Sequence, residues 1–229
     1  MLKIYGAPIS VHTRKVILVA RLKGLAYEVI PVVPVISGNP PANWQELSPT
    51  GLIPVLVDGD FTIADSTAIC TYLDRLHPAP PVYPQSAHEL AQVLALEAYA
   101  GERLFRTVVR VLFHETFVHP RVQNIPTDPA VVEQVLGTAL PEVFGRLDRA
   151  ADQGYLVGGA LSVADLAVVS NLLTFQYFGF ELDRGRYRNL SKLFDRVLAL
   201  PAVREVLRAE VPFVESMGLR GEIPRRLVA

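Results

Sequence analysis

Apolar and polar positions fall in short blocks over the first third of the chain and then settle into long helical periods. Residues 2–5 form a brief apolar run stopped by Gly6-Ala7-Pro8, which reads as a strand. Ser10 can then cap a helix continued by Val11, Lys15, Val16, Ile17, Val19, Ala20 and Leu22, with Gly24 as its stop. Residues 27–33 are β-branched and apolar, a second strand, and such a βαβ unit favours parallel pairing. Pro34, Gly38, Pro40, Pro41 and Pro49 make residues 34–50 a loop, with one helical turn at 44–47. Residues 54–57 and 61–63 flank Asp58-Gly59-Asp60, a hairpin signal. Pro54 has no N–H to give a ladder, so it opens its strand or lies on an edge. Asp65-Ser66 starts a helix to about residue 77. The order β-α-β-α-β-β-α predicts an α/β domain with a mixed four-stranded sheet.

A run of prolines, His77-Pro78-Ala79-Pro80-Pro81-Val82-Tyr83-Pro84, interrupts regular structure. We place a linker at 78–85, between a domain at 1–77 and an all-α domain at 86–229. Beyond the linker a long helix is expected over 87–117. Asp128-Pro129, a cap followed by proline at the first helical position, opens another to about residue 152, with Pro141 as a kink inside it. After Gly158-Gly159, Ser162 and Asp165 have capping-box spacing, and Leu161 and Leu166 have that of a hydrophobic staple. The helix behind them, to about 178, is apolar all round and so is expected at the centre of its domain. Shorter helices follow over 187–200 and 202–210.

Half of the 229 residues are apolar and a fifth are charged, an ordinary globular balance. A net charge of −1 gives no basic footprint for nucleic acid. Cys70 is the single cysteine, which excludes an intramolecular disulfide and a multi-cysteine metal site and fits a reducing compartment. No apolar run approaches the ~18 residues of a membrane span, and the first residues are too soon broken by Gly6 and Pro8 for a signal peptide. A cytoplasmic protein without a metal is expected.

Four motifs together resemble the glutathione S-transferase family. Ile4-Tyr5-Gly6-Ala7-Pro8-Ile9-Ser10-Val11-His12-Thr13-Arg14-Lys15-Val16 resembles the strand-turn-serine-helix entry of the serine-type (theta- and phi-like) members. Gly51-Leu52-Ile53-Pro54-Val55-Leu56 resembles the family's turn with a cis proline, and Ala64-Asp65-Ser66-Thr67-Ala68-Ile69 its acidic-serine helix start. Ser162 to Asp165 resembles the capping box of its buried helix. The resemblance spans the chain and implies a thioredoxin-like N-terminal domain binding glutathione as co-substrate. It further implies a helical domain that shapes the site for a small-molecule electrophile, and a homodimer.

The candidate residues follow from this. A free thiol of pKa about 8.5 is only a few per cent thiolate at neutral pH, and the thiolate is the nucleophile. Ser10, a hydroxyl at a helix N-terminus, favours the anion through its hydrogen bond and through the helix dipole. The local sequence alone equally allows Ser10 to be an N-cap and no more. Tyr5 is the rival hydroxyl, otherwise a strand aromatic. His12, in the same first turn as Ser10, could meet a ligand; otherwise it is a surface histidine. By the resemblance, the main chain of Ile53 before Pro54 pairs with the cysteinyl part of glutathione. Ser66 at a helix start suits the γ-glutamyl carboxylate and Asp65 the ammonium group, though both would cap the helix in any case. Leu52 departs from the family: relatives place Lys, Gln or His there, and no basic residue lies in 37–45, leaving Asn43, Trp44 and Gln45 as weaker donors for the glycine carboxylate. Arg103, Arg106 and Arg110, at spacings of three and four, share a helix face that could take an anionic co-substrate. Cys70 reads as a small core residue. The leading function is conjugation of the glutathione thiolate to electrophiles. Alternatives are a non-catalytic transferase-like binding or regulatory protein, and a glutathione-dependent isomerase or dehalogenase. The S-S-C-x-x-R pattern of the maleylacetoacetate isomerase branch is absent, which counts against that subtype, and Ser10 in place of cysteine counts against thiol-disulfide chemistry.

Overall fold

The computed structural model describes residues 1–36 and 39–219. Four strands, β1 (Leu2–Tyr5), β2 (Tyr27–Ile30), β3 (Val55–Asp58) and β4 (Phe61–Ala64), form one sheet in the order β2-β1-β3-β4. β1 and β2 run parallel, with Ile4 opposite Val29, and β3 pairs antiparallel with both β1 and β4. Around it lie α1 (Val11–Leu22), α2 (Trp44–Leu47) and α3 (Ser66–Leu76). The element order is the expected one. β2 is shorter than its apolar run: Pro31 and Pro34 remove the donors a longer ladder needs. The Asp58-Gly59-Asp60 turn joins β3 to β4 as expected, with Gly59 at φ +58°. Gly6 is required by close approach: a Cβ there would lie 2.4 Å from Thr13 Oγ1.

The 77–86 segment forms neither helix nor strand, yet it is anchored. Val82 and Tyr83 are buried, the Val82 N–H donates to Asp74 (2.9 Å), and Val163 N–H donates to the Val82 carbonyl (3.0 Å). Helix then runs from α4 (Ala87–Tyr99) through π1 (Ala100–Val109), α5 (Arg110–Phe113) and π2 (His114–Gln123). It is longer than the sequence period suggested, and two wide-turn stretches interrupt its α register, which a 3.6-residue reading does not register. The next helix is likewise split into α6 (Pro129–Gln134), π3 (Val135–Ala139) and α7 (Leu140–Ala150). Asp128 caps α6 as expected, and Pro141 falls just after the junction of π3 and α7.

α8 (Val163–Tyr177) is buried at every residue. Asp165, itself buried, accepts from the Ser162 N–H (2.8 Å), the Ser162 hydroxyl (2.9 Å) and the Leu156 N–H (2.9 Å), which fixes the start of α8. α9 (Arg188–Leu198) and α10 (Pro201–Ser216) complete the described chain. α10 outruns its expected end at residue 210 even though Pro212 lies inside it. α1 packs between α3 on one side and α8 and α10 on the other, so nine of its residues are buried. One apolar cluster runs from Leu2, Ile4 and Val16 in the first part to Leu104, Val168 and Phe194 in the second. The sheet-bearing domain and the helical part therefore share a core, and burial of α1 against both fixes their relation.

Candidate functional site

The first turn of α1 has the geometry of a site. Ser10 is the N-cap, at φ −64° and ψ 130°, and its carbonyl accepts the first helical bond from Arg14 N–H at 2.8 Å. Its hydroxyl makes no capping bond, however. A serine at an N-cap ordinarily spends that oxygen on the next N–H groups. Here the oxygen is not used by its own helix and lies at the positive end of the helix dipole.

The second element is the turn before β3. The Ile53–Pro54 peptide bond is cis. Ile53 lies outside the strand ladder, and neither its N–H nor its carbonyl forms a hydrogen bond among the described residues. Pro54 opens β3, consistent with its missing donor.

The third is the start of α3. Asp65 sits at φ +82°, a left-handed conformation that costs a non-glycine residue of order 1–3 kcal/mol. Its Oδ1 accepts from both Thr67 N–H (2.8 Å) and Ala68 N–H (3.0 Å), which offsets that cost. Asp65 is exposed and Ser66 beside it is buried. The helix start is fastened to the helical part by a buried cluster. Glu97 of α4 accepts from Lys15 Nζ (2.6 Å), the Thr67 hydroxyl (2.9 Å) and the Tyr83 hydroxyl (3.1 Å).

His12, in the first turn of α1, packs against the helical part. Its ring meets Phe105 of π1 edge-on, with centroids 4.8 Å apart. Burial pushes the imidazole down to about 4, helped by the charges of Lys15 and Arg106 and opposed by Asp65. His12 is thus a half-buried, neutral residue packed on Phe105 of π1. All three arginines are exposed: Arg103 pairs with Glu142 of α7 (2.8 Å) and Arg106 with Glu102 of its own helix (3.0 Å).

Tyr5 packs with Val32, Trp44, Ile53 and Val55 in a small apolar cluster of its own. Leu52 is 66% exposed. The donors expected near it are spent: the Trp44 indole N–H donates to the Gly51 carbonyl (3.2 Å) and the Gln45 amide to the Pro49 carbonyl (2.8 Å). Asn43 starts α2 without a side-chain cap. Cys70 is fully buried, and burial pushes its thiol up to about 12, so it is inert as a nucleophile. Among the described residues no group of three or more His, Cys, Asp or Glu is placed to hold a metal ion. Surface hollows of about 670 and 450 Å³ lie elsewhere, beside Arg21 and Tyr27 and beside Phe180 and Tyr187.

What sequence reasoning missed here is a ring of buried polar groups behind Ser10. Arg14 is fully buried, ion-paired through Nε to Glu210 of α10 (3.0 Å), and donates to the Thr174 hydroxyl (2.8 Å) and the Ser170 carbonyl (2.9 Å) of α8. A charged residue amid the apolar run of α1 was the available signal.

Family models described as "Glutathione S-transferase, N-terminal domain" and "Glutathione S-transferase, C-terminal domain" match residues 4–81 and 115–210. The chain is 28% identical over 222 residues to glutathione S-transferase Z1 of Arabidopsis thaliana, covering 94% of this chain and 95% of that one. It is 31% identical to glutathione S-transferase theta-1 of Bos taurus, over 73% of this chain and 69% of that one. A probable maleylacetoacetate isomerase of Vibrio cholerae is 29% identical, over 75% and 78%. The solved structure of human glutathione-S-transferase T1-1 in its apo form aligns with a TM-score of 0.82 at 25% identity, covering 93% of this chain and 89% of that one. No described helix is long and apolar enough to cross a membrane.

Proposed function

The chain belongs to the glutathione S-transferase family, and we propose that its glutathione transferase activity is carried by Ser10 in a site shared with Ile53, Pro54, Asp65 and Ser66. The observation that carries this reading is the unspent Ser10 hydroxyl at the N-terminus of α1. In the mechanism it supports, glutathione lies extended along the turn before β3, its cysteinyl N–H and carbonyl pairing with the free main-chain groups of Ile53. The γ-glutamyl carboxylate meets Ser66 at the start of α3, and the ammonium group meets the Asp65 oxygen not used in capping. Ser10 then donates to the sulfur, and the helix dipole adds to the preference for thiolate. A two-unit drop in thiol pKa corresponds to about 2.7 kcal/mol, within reach of those two effects together. The thiolate attacks an electrophilic carbon, a sulfur–carbon bond forms, and the leaving group departs with its electron pair. His12 and Phe105, with Arg106 and Arg110 at the edge, line the side from which that electrophile, anionic or not, would approach. The same reading carries a cytoplasmic homodimer with the boundary between its domains at 78–85.

Exposed Leu52 and the spent donors of Trp44 and Gln45 favour a second reading, a binding protein that holds a thiol peptide weakly and does not turn it over. The Vibrio relative supports a third, glutathione-dependent isomerisation, on the same site. Calorimetric titration with glutathione, followed by conjugation assays with a nitroaryl chloride, separates the first two. Binding together with adduct formation supports the transferase, whereas binding without turnover of any electrophile selects the second reading.

A further inference from the structure

The carbonyls on either side of Ser10 are both bonded from α8. The Thr174 hydroxyl donates to the Ile9 carbonyl at 2.9 Å, and the Ser170 hydroxyl donates to the Val11 carbonyl at 2.9 Å. A hydroxyl has one proton to give. Arg14 Nη1 donates to Thr174 Oγ1 at 2.8 Å and to Ser170 Oγ at 3.3 Å, so each hydroxyl accepts from the guanidinium and turns its proton to the carbonyl. Arg14 is held in turn by Glu210, whose second oxygen accepts from the Tyr177 hydroxyl. All five side chains are buried, with exposures of 0% for Arg14 and Ser170, 1% for Tyr177, 2% for Glu210 and 6% for Thr174.

The arrangement exceeds what packing α1 against α8 needs. An apolar seam would hold the helices together without desolvating an arginine, a glutamate and three hydroxyls. What the polar cluster adds is direction. The Ile9 carbonyl belongs to the peptide plane that enters Ser10, and Val11 opens the helix behind it. Fixing both sets the direction in which the Ser10 side chain leaves the backbone. We propose that Thr174 and Ser170, oriented by Arg14, are positioning residues that aim the Ser10 hydroxyl at the thiol sulfur. The inference rests on the reading of Ser10 as the thiol-activating residue. The helical part thereby acts on chemistry assigned to the thioredoxin-like part, through residues about 160 positions away in sequence. The sensitivity of such hydrogen bonds to displacements well under an ångström is the physical reason to build this way.

The test is the ultraviolet titration of the thiolate in the glutathione complex of the full-length protein, with Thr174→Val, Thr174→Ser, Ser170→Ala and Ser10→Ala beside the wild type. Thr174→Val keeps the shape and leaves the Ile9 carbonyl without its donor. It should raise the thiol midpoint by about one unit and lower the conjugation rate near neutral pH about tenfold. Affinity for S-methylglutathione, which has no thiol to ionise, should stay within about twofold. Thr174→Ser, which keeps the hydroxyl, should restore the wild-type midpoint. Ser170→Ala should act in the same direction with a smaller shift, because the Val11 carbonyl also belongs to the helical ladder, and it carries the test should Thr174→Val fail to fold. An unmoved midpoint in either folded variant, with Ser10→Ala raising it, overturns this inference alone. A shift in Thr174→Val that Thr174→Ser does not reverse also overturns it. If Ser10→Ala itself leaves the midpoint unmoved, the reading of Ser10 fails and the inference fails with it.

Discussion

The turn after β1 that carries Ser10 and the turn before β3 that carries Leu52 are both short and irregular, yet they are held in different ways. Around Ser10 the bonds come from far along the chain, from Thr174, Ser170 and Glu210, and almost every group is buried. Around Leu52 they are local: Ser48 Oγ donates to the Leu52 carbonyl (2.7 Å) and Trp44 to Gly51, with the Leu52 side chain in solvent. The apolar cluster beneath that second turn, Val32, Trp44 and Val55, stands apart from the main core. One end of the site is thus an assembled part of the whole molecule, and the other is a loop resting on its own neighbours. Geometry that must be exact calls for the first kind of support, and a loop of the second kind can change sequence with little effect on the fold.

The sharpest way to break the contrast is Arg14→Met. It leaves Glu210 as a buried charge without its partner and should lower the unfolding free energy in urea by about 3–5 kcal/mol. Leu52→Ala should stay within about 0.5 kcal/mol of wild type. Equal losses from the two substitutions would remove the distinction.

Acid sharpens it next. His12 has its pKa lowered in the folded protein to about 4 from 6.5, so between those values the unfolded chain takes up the proton first. Stability is therefore full above about pH 6.5 and falls as the pH drops towards 4. The loss should be about 1–3 kcal/mol once partial exposure is allowed for. Unfolding curves for wild type and His12→Gln across that window measure the contribution, and identical pH slopes would show that His12 is not held neutral by the packing described.

The two ends also differ in what they offer a ligand. Asp65→Asn keeps the cap acceptor and tolerates the positive φ while removing the charge. Glutathione affinity should fall about tenfold, the scale of one charge-assisted hydrogen bond. Leu52→Lys should instead raise affinity about threefold to tenfold by giving the glycine carboxylate a partner, with stability nearly unchanged. Calorimetry reads both, and an affinity unchanged by either substitution would mean that the ligand lies elsewhere.

Much of this was legible in the residues. The element order, the Asp58-Gly59-Asp60 hairpin, the Asp65 and Asp128 caps and the buried α8 were legible because each rests on short-range chemistry. The family motifs added the cis Ile53–Pro54 bond. The length of β2 was misjudged because Pro31 ends its ladder inside an apolar run, and that of α10 because the helix continues through Pro212. The wide-turn stretches of the long helix were not legible because no local signal marks a change from i→i+4 to i→i+5 bonding. The support behind Ser10 was illegible for a simpler reason: its partners are separated by 156 to 196 residues, and only the fold brings them together.

The claim on which the rest depends is that the hydroxyl of Ser10, left unspent by its helix, stabilises a thiolate. Its most direct test is the ultraviolet pH titration of bound glutathione in wild type, Ser10→Ala and Tyr5→Phe. The account predicts a thiol midpoint about two units below the free value in wild type, a return most of the way to about 8.5 in Ser10→Ala, and no change in Tyr5→Phe. A midpoint that stays low in Ser10→Ala and rises in Tyr5→Phe would contradict it.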